Sequence, residues 1–291
     1  MNKLSTAKRS QVVAALVEGV SVRATCRMTG VAKGTVLKLL VDLGAACERY
    51  QDEKLHGLKL KRIQCDEIWE FCYAKSKNVP EEHAGEWGYG DVWTWVAIDA
   101  TTKLVPSWAV GRRDGFTAAA FIRDLADRLA TRVQLTTDGH KVYLEAVEGA
   151  FGNAIDYAML IKTYEGDSGK HATAERRYSP AVCTGEYKQR VTGNPDPDYI
   201  STSYVERQNL TMRMGMRRFT RLTNVFSKKV DNHKAAVALH FMHYNFARIH
   251  TSIRVTPAME AGISDHVWEI SEIVGLLDWA AAPDAAAGVS E

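Results

Sequence analysis

Three acidic residues in this 291-residue chain have the types and settings needed for chemistry: Asp66 in QCDEIWEF, Asp138 in LTTDGHKVY and Glu206 in STSYVERQNLTMR. Asp66 and Asp138 lie in or just after apolar, strand-like runs, and Glu206 opens an arginine-rich helical stretch. Carboxylates carried on two strands and a helix suit a pair of Mg²⁺ or Mn²⁺ ions, which prefer oxygen ligands and keep positions open for phosphate. Two such ions about 4 Å apart can activate a water or a 3′-hydroxyl and stabilise the leaving oxygen of a phosphodiester. No nucleophilic side chain is needed. Other acids compete for the role. Strand alternation places Glu70 on the face of Asp66 and points Glu67 away. Asp99 precedes Thr101-Thr102 and reads as a turn residue. Asp156 is held in reserve, and His140 suits either phosphate contact or a helix start.

The elements that must position these acids follow from periodicity. RIQCDEIWEFCYA, VWTWVAID and KLVPSWAVG read as three successive strands, with Thr101-Thr102 as a turn. GFTAAAFIRDLADRLA reads as an amphipathic helix with Phe116, Ala120, Phe121, Leu125 and Leu129 inward. A strand over RVQLTTD, a helix over HKVYLEAVEGAF and a short strand over DYAMLIK follow. Three antiparallel strands and then alternating helix and strand is the order of a ribonuclease-H-like mixed α/β sheet. Strands one and four would be neighbours, bringing Asp66 beside Asp138. Residues 163–200, broken by glycine and proline, read as a long polar loop in which Arg176, Arg177 and Tyr178 could grip a strand. Ser201 would cap the next helix, where Glu206, Asn209 and Arg213 share a face. Residues 231–249 read as an amphipathic helix covering the sheet.

Upstream, residues 5–18 form a helix with Val12, Val13, Leu16 and Val17 inward. Ser21 caps a short helix that Gly30 stops, and a third helix starts near Thr35 with Val36, Leu39, Leu40 and Leu43 inward. This is a helix-turn-helix pattern over an all-α segment, residues 1–50. Lys33, Thr35 and Lys38 would reach phosphates or base edges, with Arg23 and Arg27 on the backbone. A basic linker (51–62), a catalytic domain (63–255) and a C-terminal helix with disordered tail (256–291) complete the expected organisation.

Net charge is only +2, yet Lys and Arg outnumber Asp and Glu by 12 to 5 in residues 1–62 and by 10 to 2 in residues 201–254. Between those blocks acids prevail, so two basic surfaces flank an acidic centre. The second block offers Arg207, Arg213, Arg217, Arg218, Arg221, Lys228 and Lys229 to nucleic-acid phosphates. Five scattered cysteines without a C-x-x-C pair argue for reduced thiols rather than zinc or disulfides. His233, His240, His243 and His250 lack acidic or cysteine partners and read as structural. No apolar run reaches membrane length, and the opening lacks a secretory segment, so the expectation is a cytoplasmic protein, nucleoid-associated when acting.

Together these stretches resemble the DDE transposases of bacterial insertion sequences, especially the group related to insertion sequence 1. TTDGHKVY carries the second acid with Gly139 and Tyr143, and STSYVERQNLTMR the third with Arg213 seven residues on. HYNFARIHTSIRVTPAM resembles the closing element, through Tyr244, Asn245, Arg248, His250 and Thr256-Pro257-Ala258. With CDEIW and the helix-turn-helix, the resemblance spans roughly residues 20–265. It implies Asp66, Asp138 and Glu206 as catalytic ligands of two Mg²⁺ or Mn²⁺ ions. It also implies recognition of terminal inverted repeats, cleavage and strand transfer into target DNA, and a homodimer or higher oligomer on double-stranded DNA. The cysteine-rich zinc finger of some relatives has no counterpart here. The alternative is a repurposed transposon-derived DNA-binding protein or regulator without catalysis.

Overall fold

Dense β-branched and aromatic residues drive the middle of the chain into one sheet. The computed structural model describes residues 4–165, 182–220 and 224–281. Six strands form an open mixed sheet: β1 (Arg62–Cys72), β2 (Gly90–Asp99), β3 (Ser107–Gly111), β4 (Gln134–Thr137), β5 (Asp156–Glu165) and β6 (Val182–Thr192). Their order is β3-β2-β1-β4-β5-β6. β1 pairs antiparallel with β2, and β2 with β3, while β4 runs parallel to both β1 and β5. The mixed α/β class and the order of the first five strands agree with the sequence pattern.

The sixth strand does not. β6 pairs antiparallel with β5 in a stretch expected to be loop. Its residues VCTGEYKQRVT alternate no apolar face, and Tyr187 is 63% exposed, so an edge strand wet on both sides left no periodic signal. Arg176, Arg177 and Tyr178 lie outside the described residues.

Helices close both faces of the sheet. The crossovers α4 (Gly115–Arg128) and α5 (Val142–Phe151) cover one face through Phe121, Leu125, Tyr143 and Val147, against Trp95 and Leu135. Within α4 the inward face is Ala118, Phe121, Ile122 and Leu125. The expected inward Phe116 is 86% exposed and Ala120 also faces solvent, because both fall on the outer face of the helix with Arg123 and Asp127. The opposite face carries α6 (Ser203–Gly215) and α7 (Val230–Met242), whose Val205, Met212, Val237 and Phe241 pack on Ile68, Val96 and Ile98. Expected to be amphipathic, α7 is instead buried on nearly every side, since its other flank meets the N-terminal helices.

Those helices are α1 (Thr6–Val17), α2 (Val22–Thr29) and α3 (Lys33–Lys54). Ser21 accepts the Ala24 amide at the start of α2, and Gly30 ends it at φ 71°, a conformation open to glycine at little cost. α3 runs without a break through residue 50, where the sequence suggested a boundary. The stretch expected to be a basic linker then buries Leu55, Leu58 and Leu60 in the core shared with the sheet. Close packing explains the union. A Cβ on Gly44 of α3 would lie 2.5 Å from the Ala235 backbone of α7, so only glycine permits this approach.

The C-terminal part locks the assembly. Thr256 caps the short α8 (Pro257–Glu260), and α9 (Ile270–Trp279) packs against α1 and α3 around the ring of Tyr50, which meets Phe246, Trp268 and Trp279. Asn245 grips the backbone of Val105 with both amide atoms at 3.0 Å, and the Tyr244 hydroxyl donates to Lys103 O. The Tyr-Asn pair therefore clamps the segment before β3. The tail expected to be disordered lies, from residue 282, outside the described residues. No helix among the described residues is long and apolar enough to cross a membrane.

Candidate metal centre

Parallel pairing of β1 with β4 sets the site. The register ends at Cys65 opposite Thr137, so Asp66 and Asp138 follow at the same end of neighbouring strands. Both carboxylates are oriented by the backbone: Asp66 Oδ1 accepts the Glu67 amide at 2.8 Å, and Asp138 Oδ1 accepts the His140 amide at 3.0 Å. His140 is thereby used at the turn, its ring stacked on Trp95.

Glu67 is the third member. One carboxylate oxygen from each of Asp66, Glu67 and Asp138 lies within 4.8 Å of the others. Alternation does send Glu67 to the opposite face, as expected, but β4 has already ended there. Asp138 turns across the open end and meets both faces. The Glu67 side chain has no exposed surface; its Oε2 accepts from Arg113 Nε at 3.1 Å, and Arg113 Nη2 lies 3.8 Å from Asp138. Oε1 of Glu67 is buried with the Tyr143 hydroxyl as its neighbour, short of good hydrogen-bond geometry. Three hard carboxylate oxygens from Asp66, Glu67 and Asp138, gathered at one end of the sheet, are a donor set that fits Mg²⁺ or Mn²⁺.

Like charges and burial mark this cluster. The Asp66 carboxyl is pushed up to about 7, chiefly by burial and next by Asp138 and Glu67. Burial also raises Glu67, while Tyr143 and Arg113 oppose it. Glu70, two turns of alternation below Asp66, is pushed up to about 7 by burial, against the nearby Arg213 and Arg218.

Glu206 is not one of the three clustered acids, although its charge is near enough to raise Asp66. Its helix lies correctly over β1. Thr202, rather than Ser201, is the N-cap and makes no side-chain capping bond. Gln64 of β1 does that work, its Oε1 accepting the amides of Tyr204 at 2.8 Å and Val205 at 3.2 Å. One turn on, Asn209 donates to Asp66 Oδ2 at 2.8 Å. One strand thus carries Asp66 and also anchors the helix of Glu206. The Glu206 carboxylate itself accepts from Thr202 Oγ1 at 2.6 Å and is ion-paired with Lys162 of β5. Gln64→Ala is expected to leave two amides uncapped and cost about 1–3 kcal/mol. An unchanged urea midpoint would contradict this account of the cap.

Other expectations are sorted by position. Asp99 accepts the amides of Thr101 and Thr102, as a turn residue should. Asp156 begins β5 at the far end of the sheet and pairs with Arg132, so it cannot replace either Asp. His233 and His240 are buried and pushed down to about 3 by desolvation. Neither belongs to a cluster of possible ligands among the described residues.

Of the basic residues, Arg23, Arg27 and Lys33 from the N-terminal helices line the same groove as Arg217, Arg218 and Lys228. Thr35, Lys38, Arg207 and Lys229 are exposed outside it, with Lys38 paired to Asp42. Arg213 sits half-buried on α6, and Arg221 lies outside the described residues. The basic stretch after α6 is not a continuing helix: α6 stops at Gly215, and a 3₁₀ turn over Arg217–Phe219 buries Phe219.

Sequence reasoning missed Glu67, Arg113 and Lys162. Only the Asp-Glu pair in CDEIW offered a signal, and alternation argued against it. A scan of protein-family models and a search of curated proteins gave no match to this chain.

Proposed function

We propose that the chain is a metal-dependent DNA-processing enzyme of the DDE transposase type, built on a ribonuclease-H-like sheet. The observation that carries this reading is Asp66 and Asp138 side by side at the ends of parallel strands, under a helix bearing Glu206. The strand order and the two crossover helices support the fold assignment. The helix-turn-helix reading of α2 and α3 supports recognition of inverted-repeat ends, and action on two ends implies a homodimer or higher oligomer.

When bound, two Mg²⁺ or Mn²⁺ ions would supply an activated water or 3′-hydroxyl and stabilise the leaving oxygen. The chain's own residues do the rest. Asp66, Glu67 and Asp138 provide the buried oxygens. Asn209 holds Asp66 in place, and Arg113 balances Glu67. Glu206 joins on release from Lys162, whose ammonium is then free for a phosphate oxygen.

The pairing of Glu206 with Lys162 also favours a second reading: a transposon-derived DNA-binding protein whose triad never assembles. One assay separates them. Wild-type protein with Mg²⁺ and DNA carrying the element's inverted repeats is expected to give joined products, and Asp138→Ala none. Full joining by Asp138→Ala would sink the catalytic assignment, and binding without joining by the wild type would select the second reading.

A further inference from the structure

The two basic blocks, far apart in sequence, line one groove of about 630 Å³. The turn after α1 abuts the end of α6 so tightly that a Cβ on Gly19 would lie 2.7 Å from Gly215 O. Both glycines line the groove. Five cations are open to it: Arg23, Arg27 and Lys33 from the N-terminal helices, and Arg217 and Lys228 from the second block. Arg218 also borders it but is half-buried and donates to Ser227 Oγ at 2.7 Å. No carboxylate lines it among the described residues. Such a surface selects a polyanion.

Its floor is different. Leu16, Val20, Leu37 and Phe226 are half-exposed there. Contact with duplex phosphates gains nothing from an apolar floor, because a duplex hides the flat faces of its bases in the stack. An unpaired nucleotide shows one face and needs somewhere to bury it. The volume lies in the range of about 300–1,000 Å³ typical of small-ligand sites, which suits one or two nucleotides and not a double helix.

We infer that this groove holds an unpaired stretch of DNA strand at the end of a duplex, bases on Leu16, Val20 and Leu37, phosphates on Arg23, Arg27, Lys33, Arg217 and Lys228. The inference rests on the DNA-processing reading and adds a single-strand subsite to it. Thr35 and Lys38, outside the groove, remain available to the duplex.

The test uses the full-length protein without metal and three fluorescent DNAs: a blunt hairpin, the same hairpin with a five-nucleotide 3′ overhang, and a free single strand. Wild type is expected to bind the overhang about tenfold more tightly than the blunt hairpin. Leu37→Glu, which puts a carboxylate on the floor, is expected to remove that preference by weakening overhang binding about tenfold more than blunt binding. Leu37→Phe, which keeps an apolar floor, is expected to retain it, guarding against a simple folding defect. A 2-aminopurine in the overhang is expected to change emission on binding in wild type and not in Leu37→Glu. Equal affinity for blunt and overhang DNA, or a preference untouched by Leu37→Glu, would overturn the subsite alone. Binding of none of the three DNAs would overturn both the subsite and the reading beneath it.

Discussion

Asp66→Asn is expected to lower Mg²⁺-dependent strand cleavage by about 10³-fold or more while making the metal-free protein more stable at pH 8. Both effects come from one carboxylate. In the wild type Asp66 is buried beside Asp138 and Glu67, and its pKa rises from 3.8 to about 7. A raised carboxylate binds its proton more tightly in the folded than in the unfolded chain. Its penalty is therefore absent below about pH 4, grows as pH climbs to about 7, and stays in full above that. A shift of this size corresponds to roughly 4 kcal/mol. Asparagine removes the charge but leaves one acceptor oxygen for two donors, the Glu67 N–H and Asn209 Nδ2, so the net gain at pH 8 is expected to be about 1–2 kcal/mol. Melting curves without metal at pH 5 and pH 8 measure it. The wild type should lose stability between the two, Asp66→Asn should lose less, and Mg²⁺ should raise the wild type at pH 8 far more than the variant. A variant as pH-sensitive as the wild type would refute the burial argument. Glu70 leaves a residual slope of the same sign in both.

Arg113→Ala is expected to act in the opposite direction. Glu67 has no exposed side-chain surface, and Arg113 is the one cation in contact with it among the described residues. Removing one partner of a buried pair typically costs about 3–5 kcal/mol. Arg113 is 39% exposed, so solvent screens part of that and about 2 kcal/mol is expected at pH 8. As pH falls the loss should shrink, because burial raises Glu67 and removing Arg113 raises it further, favouring its neutral form. Mg²⁺ should offset the loss at pH 8 by replacing the missing charge. The Arg113 guanidinium lies 4.8 Å from the Trp93 ring, so tryptophan emission offers a local readout. A loss of the same size at pH 5, pH 8 and with Mg²⁺ would show that Arg113 matters through packing and not through Glu67.

Much of the frame was legible because it depends on short-range periodicity. Ser21 and Gly30 bracket α2 by capping chemistry, and the apolar runs of β1, β2 and β4 announce themselves by composition. The neighbourhood of Asp66 and Asp138 followed from strand order alone. β6 was not legible, since a strand wet on both faces has no pattern to detect. The buried character of α7 was also hidden, because amphipathicity describes one partner and α7 has two.

The sequence by itself determined the identity of the acids, the strands that carry two of them, and the two basic blocks on either side. Tertiary structure alone decided who meets whom. Arg113 reaches Glu67 across 46 residues, Lys162 reaches Glu206 across 44, and Gln64 caps the Glu206 helix across 140. None of these pairs obeys a local period; each exists because sheet register and helix packing bring distant side chains to one place. The same packing joined the basic blocks into a groove and left Glu206 held by Lys162, outside the three clustered carboxylates. Periodicity can say that an acid lies on a strand, but the end of the neighbouring strand decides what that acid faces.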